Sequence, residues 1–193
     1  MSRKPLFNPL VAAIAMALIQ TLVLGYMIES RASILRNGAE LVLKTVPVDP
    51  RDLLRGDCVI LAYDISTIQP EKITGEMPKE SGEARLSVRL ARQADGFWGV
   101  DEASFEPLPV NKESVVATTQ PFYHYFAAGD AQGPLNVDYG IERYYVPEGE
   151  GRVLETARNA SALSVTARVD DAGRMQIRQI AVDGKPLYEE PLY

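Results

Sequence analysis

The chain reads as a mainly β protein: a single N-terminal transmembrane helix followed by a small antiparallel β domain with one short helix. Three observations predict this. Residues Pro5 to Ile28 contain no Asp, Glu, Lys or Arg. Beyond them, apolar residues recur at a spacing of two in several separate runs, the period of a half-buried strand. One segment, Arg152 to Asn159, reads instead as a short helix.

The uncharged stretch is 24 residues long. At a rise of about 1.5 Å per residue it spans roughly 36 Å, enough to cross a hydrocarbon core of about 30 Å with some tilt. A single segment in that core must be helical, because it has to satisfy its own backbone hydrogen bonds. Arg3 and Lys4 immediately precede it and favour a cytoplasmic N-terminus. The expected division is 1–4 cytoplasmic, 5–28 membrane anchor and 29–193 extracytoplasmic domain. A cleavable signal peptide is the competing reading, and Ser30-Arg31-Ala32 has the small-x-small form of a cleavage site. Signal peptides carry an apolar region of only about 7–15 residues, so length favours the anchor.

In the outer part, Glu29 to Gly38 extends the helix as a polar stalk. Leu41 to Val46 is β-branched-rich and stops at Pro47, and Val48 to Asp52 is a turn. Cys58 to Ile65 is a strand with Val59, Leu61, Tyr63 and Ile65 on one face. Cys58, Ile60 and Ala62 make the other face apolar too, so the strand is expected to be covered on both sides, with Cys58 buried and unreactive. Ile68 to Ala84 is rich in Pro, Gly, Lys and Glu and reads as an exposed loop. Leu86, Val88 and Leu90 alternate with Arg85, Ser87 and Arg89, a strand with a basic outer face. Phe97 to Phe105 is its hairpin partner across Ala94-Asp95-Gly96. Val115 to Thr119 is a short strand, Phe122 to Phe126 an aromatic run and Ala127 to Asn136 turn-like. Tyr139 to Val146 reads as another strand. Leu163 to Val169 and Met175 to Val182 form a hairpin around Asp170 to Gly173, and Asp183-Gly184 turns the chain again.

Composition excludes several functions. Residues 29–193 carry 18 Lys+Arg against 26 Asp+Glu. That acidic balance repels phosphate backbones, so no nucleic-acid partner is expected. Cys58 is the one cysteine, so no intrachain disulfide forms. His124 is the one histidine, which rules out a zinc site built on two. It lies in Phe122-Tyr123-His124-Tyr125-Phe126, where packing among aromatics is favoured over general-base work. No Gly-x-Ser-x-Gly elbow is present, and Glu148-Gly149-Glu150-Gly151 would repel a phosphate. No cofactor and no catalytic residue are expected.

The most specific run is Gly56-Asp57-Cys58-Val59-Ile60-Leu61-Ala62-Tyr63. It resembles the GDYXXLXY family, membrane-anchored bacterial proteins of unassigned function. Gly56, Asp57, Leu61 and Tyr63 match, whereas Cys58 stands at the family tyrosine. Tyr139 to Gly149 is similar to the family's second block. The resemblance implies an N-terminal anchor in a bacterial membrane and frequent encoding beside multi-pass membrane proteins, so a multi-pass partner at the cytoplasmic membrane is expected; it implies no reaction. The order of a Pro-containing loop, a Gly-Asp turn and an apolar strand also resembles signal peptidase I. The position of that enzyme's serine is Val48 here, which has no hydroxyl to attack a carbonyl.

Residues Arg55, Gly56, Asp57, Tyr63, Tyr139, Glu142, Arg143 and Glu148 are the binding candidates. Alternation sets Glu142 with Tyr144 on one face and Arg143 with Tyr145 on the other. Whichever face is inward buries a charge, and a buried charge needs a partner. Arg143 paired with Asp57 is the preferred reading. Function is then expected to be that of an interaction subunit in the membrane. The rival is an envelope ligand-binding protein or hydrolase with a site around the Gly56-Asp57 turn. A deep pocket where these charges converge would favour the rival. Charges spent in turns beside an open apolar surface would favour the subunit.

Overall fold

The computed structural model of the protein describes residues 9–47, 58–125, 133–147 and 151–191. After helix α1 (Pro9–Asn37) come β1 (Ala39–Val46), β2 (Cys58–Ile60), β3 (Ala62–Tyr63), β4 (Thr67–Ile68), β5 (Ile73–Thr74), β6 (Gly82–Ala84), β7 (Ser87–Arg92), β8 (Trp98–Ser104), β9 (Ser114–Thr118), β10 (Phe122–His124), β11 (Leu135–Asn136) and β12 (Arg143–Tyr145). Helix α2 (Gly151–Asn159) precedes β13 (Leu163–Val169), β14 (Met175–Val182) and β15 (Lys185–Glu189). The protein is mostly β, with a long apolar N-terminal helix and one other short α-helix among the described residues.

Helix α1 is long and apolar enough to cross a membrane, with a mean hydropathy of 2.1 over its most apolar stretch. From Pro9 to Glu29 its side chains are exposed. Its last turns differ: Ala32, Ile34 and Leu35 are buried against β13 and β14. The helix thus runs unbroken from the apolar span into the domain. Gly38 closes it, its amide donating to the Ile34 carbonyl at 2.9 Å. A Cβ at Gly38 would lie 2.6 Å from that carbonyl oxygen and 2.9 Å from that of Val169. Only glycine lets the helix end press directly onto the sheet.

Two sheets share one core. The first is antiparallel in the order β15-β14-β13-β1-β3, and the second has the order β5-β8-β7-β9 with β5 parallel to β8. Leu41 and Leu43 of β1 and Val165 and Ala167 of β13 meet Val88 and Leu90 of β7 and Ala117 of β9 in that core. Three two-stranded ribbons complete the domain: β6 with β10, β4 with β11, and β2 with β12. The β13–β14 hairpin and the β7–β8 hairpin form as the alternation predicts, both antiparallel.

Four expectations change. The segment from Ile68 to Ala84 is no open loop: it contains β5 and β6, and Ile68 is fully buried, because its prolines and glycines punctuate short strands rather than abolish them. Strand β7 has no simple basic outer face. It lies between β8 and β9, so Arg89 is only 7% exposed. Its Nε donates to Glu102 at 3.0 Å and its Nη1 to the Ser114 hydroxyl at 3.1 Å. The strand expected over Tyr139 to Val146 shrinks to β12, because Gly140 takes φ +85°, a left-handed turn that breaks extended backbone. The motif strand is covered on one face only: Val59, Leu61, Tyr63 and Ile65 are at most 1% exposed, while Ile60 is 41% exposed and Cys58 half-buried. His124 is buried against the Phe105 ring, with centroids 5.3 Å apart.

Candidate functional site

The structure brings the two motif blocks together. Strand β2 pairs with β12 in antiparallel register, Ile60 opposite Arg143 and Cys58 opposite Tyr145. The Leu61 amide extends the pairing by donating to the Glu142 carbonyl at 2.8 Å. Two buried tyrosines then lock the blocks reciprocally. Tyr63, from the first block, donates its hydroxyl to the Ile141 carbonyl of the second at 2.7 Å. Tyr139, from the second, donates to the Ile65 carbonyl just past the first at 3.0 Å. Both side chains are 1% exposed. Burial, and secondarily the nearby Glu142 charge, raise both phenols far above their ordinary range. They stay protonated and act as donors.

Glu142, not Arg143, is the inward charge. Its carboxylate accepts the backbone amides of Tyr139 at 2.5 Å and Gly140 at 2.8 Å. The left-handed Gly140 aims those two amides at it. A Cβ there would also meet the Gln120 amide nitrogen at 2.7 Å. Burial raises the Glu142 pKa, and the backbone hydrogen bonds oppose the rise without cancelling it. Tyr144 shares the inward side, donates to Glu190 at 3.1 Å and is pushed up to about 12, chiefly by burial.

Arg143 is exposed, so the expected buried Arg143–Asp57 pair is corrected on the arginine's side. The inward demand for a charge partner is met by backbone amides on Glu142 instead. Arg55, Gly56, Asp57 and Glu148 lie outside the described residues. Cys58, expected to be buried, shares the outer face of the ribbon with Ile60, Arg143 and Tyr145, the last 75% exposed. Arg158 of α2 donates from Nη1 to the Ile60 carbonyl at 2.6 Å and so ties the motif strand to the helix. Among the described residues no group of three or more His, Cys, Asp or Glu is placed to hold a metal.

Two clefts flank the Gly140 turn. One, about 490 Å³, is lined by Arg31, Arg85, Thr118, Gln120, Gly140 and Arg174, among others. The other, about 300 Å³, is bordered by Arg31, Arg143, Tyr144, Tyr145 and Glu190. Sequence reasoning missed Arg31, Arg85 and Gln120. Arg31 left a trace as the first cation after the apolar span, and Arg85 as an outward residue in the alternation before β7.

The family's model matches residues 20–180, both blocks included. The chain belongs to the GDYXXLXY protein family. Its signature residues Leu61 and Tyr63 are the inward pair of the motif strand, and the family tyrosine position, Cys58, is on the open face. No curated protein and no solved structure matches the chain significantly.

Proposed function

We propose that this protein is an interaction subunit: a single-pass anchor in the bacterial cytoplasmic membrane, N-terminus inside, presenting its β domain outside to a multi-pass membrane protein. The observation that carries this reading is the open face of the β2–β12 ribbon. The polar groups of the joined blocks are spent internally, Tyr63 and Tyr139 on carbonyls and Glu142 on amides. Among the described residues of the ribbon, what is left outward is Ile60, Tyr145, Cys58 and Arg143, an aromatic-aliphatic patch with one arginine. Tyrosine and arginine are the side chains enriched where proteins meet. A membrane protein is the fitting partner because the same face borders a cleft that includes Arg31, three residues past the apolar span. A partner reaching that face meets it at the membrane surface.

The test is photo-crosslinking in native membranes. A photoreactive residue at Tyr145 or Ile60 should give one adduct with an integral membrane protein. The same residue at Val110, exposed in the connection between β8 and β9, should give none. Equal labelling from all three sites would refute a specific face. A cytoplasmic reporter fused after Tyr193 should be silent; activity would overturn the orientation.

A further inference from the structure

The larger cleft differs from the rest of the outer domain in charge. Three arginines line it, and among the described residues no Asp or Glu does, although residues 29–193 carry 26 acids against 18 bases. Arg174 is paired with Asp170 at 2.7 Å. Arg31 and Arg85 are exposed and have no hydrogen-bond or ion-pair partner among the described residues. The Gln120 amide, held beside Gly140, adds a neutral polar group to the same wall.

Depth identifies what such a cleft meets. Ile28 ends the uncharged stretch, and Ser30, Arg31 and Ile34 of α1 line the cleft. At about 1.5 Å per residue, Arg31 sits about 4.5 Å beyond the end of the apolar span. Headgroup layers occupy roughly the next 5–8 Å outside the hydrocarbon. The burial of Ala32, Ile34 and Leu35 against β13 and β14 fixes the cleft at that height, since the helix end and the sheet are one packed unit.

On the reading of α1 as an anchor, we infer that this cleft holds the phosphate of an anionic phospholipid headgroup from the leaflet beneath the domain. Guanidinium groups bind phosphate oxygens through paired N–H donors. A lipid clamped there would orient the acidic domain against an anionic surface that otherwise repels it. Each cation near such a surface is worth about fivefold in affinity, so Arg31 and Arg85 together supply about 25-fold.

Native mass spectrometry of the full-length chain in a neutral detergent tests this, with dioleoyl phosphatidylglycerol or dioleoyl phosphatidylcholine added. The wild type should retain phosphatidylglycerol at least about tenfold more tightly than phosphatidylcholine. The R31Q/R85Q variant should lose that preference, R31K/R85K should keep most of it, and K112Q/K185Q, altered outside the cleft, should keep all of it. Thermal melting should be unchanged in all three, because the two arginines and the two lysines are exposed. Absence of preference in the wild type, or its survival in R31Q/R85Q, overturns the headgroup site. Displacement of phosphatidylglycerol by equimolar inorganic phosphate overturns the lipid as the source. The same spectra report the intact mass. A chain lacking residues 1–28 would overturn the anchor reading, separately from the cleft.

Discussion

The reciprocal tyrosine bonds make a quantitative prediction about how the two motif blocks hold together. Replacing Tyr63 by Phe removes a buried hydroxyl and leaves the Ile141 carbonyl without its 2.7 Å donor. Replacing Tyr139 by Phe does the same to the Ile65 carbonyl. A buried carbonyl stripped of its partner costs about 1–3 kcal/mol. For a domain of this size each kcal/mol moves the melting temperature by about 2–4 °C, so each variant should melt about 2–12 °C lower. Both bonds tie the same pair of segments, so breaking one should loosen the other, and the double variant should lose less than the sum of the singles. Tyr145→Phe, 75% exposed, is the control and should be neutral. The assay is thermal unfolding of the full-length chain in detergent. Singles within about 1 °C of wild type would refute the lock, and strict additivity would refute the claim that the bonds act as one unit. The pH sign follows from the raised phenols. Below the ordinary tyrosine pKa of about 10 the stabilisation is intact. Above it the unfolded chain ionises first and stability falls. The Phe variants should show a shallower alkaline decline than wild type.

Two glutamates should respond to pH with opposite signs. Glu102 is held below its ordinary range by the Thr74 hydroxyl and the Arg89 guanidinium. Its contribution is therefore present above the usual carboxylate range and lost on acidification, and Glu102→Gln should destabilise at pH 7 but not near pH 3, read by thermal melts across pH. Glu142 is raised by burial, so wild type should lose stability relative to Glu142→Gln as pH climbs through and above the ordinary carboxylate range in the same melts. Gly140→Ala should cost about 1–3 kcal/mol, because φ +85° strains any Cβ; a denaturant midpoint equal to wild type would contradict the turn. Cys58, half-buried on the open face, should react with a maleimide in the native state; protection equal to that of a core thiol would contradict the exposed ribbon.

The parts of the fold legible in the sequence are those whose signal is local. The β13–β14 hairpin announces itself by strict alternation around Asp170 to Gly173, and the inward face of the motif strand by Val59, Leu61, Tyr63 and Ile65. What alternation leaves open is which face of a mixed strand turns inward. At Glu142-Arg143-Tyr144-Tyr145 either choice buries a charge. The decision is made two residues earlier, where a left-handed Gly140 supplies amides to a carboxylate but could supply nothing to a guanidinium. The fate of Arg89 is likewise non-local: it depends on Glu102 and Ser114 arriving from the two flanking strands. The arginine cleft is the extreme case, assembled from α1, the β6–β7 connection and the β13–β14 turn, which no spacing rule connects.

The signature itself divides along the pleat. Leucine and the second tyrosine are two residues apart and therefore share a face. In this chain they are Leu61 and Tyr63, both 1% exposed, one filling the core and the other bonding the second block. The first tyrosine position is three residues before the leucine, an odd number, and so faces the other way. Here it is Cys58, opposite Tyr145 on the open side of the ribbon. The fold accounts for the inner pair completely. Among the described residues it gives the side chain at the outer position, here a half-buried cysteine, no packing partner in the core. A residue type written into a motif but not needed by the interior points to a demand from outside the chain. On that argument Cys58→Tyr should leave the melting temperature within about 1 °C, since it fills no core space, while changing the yield of the Tyr145 crosslink. A large loss of stability would show that the outer position belongs to the fold after all.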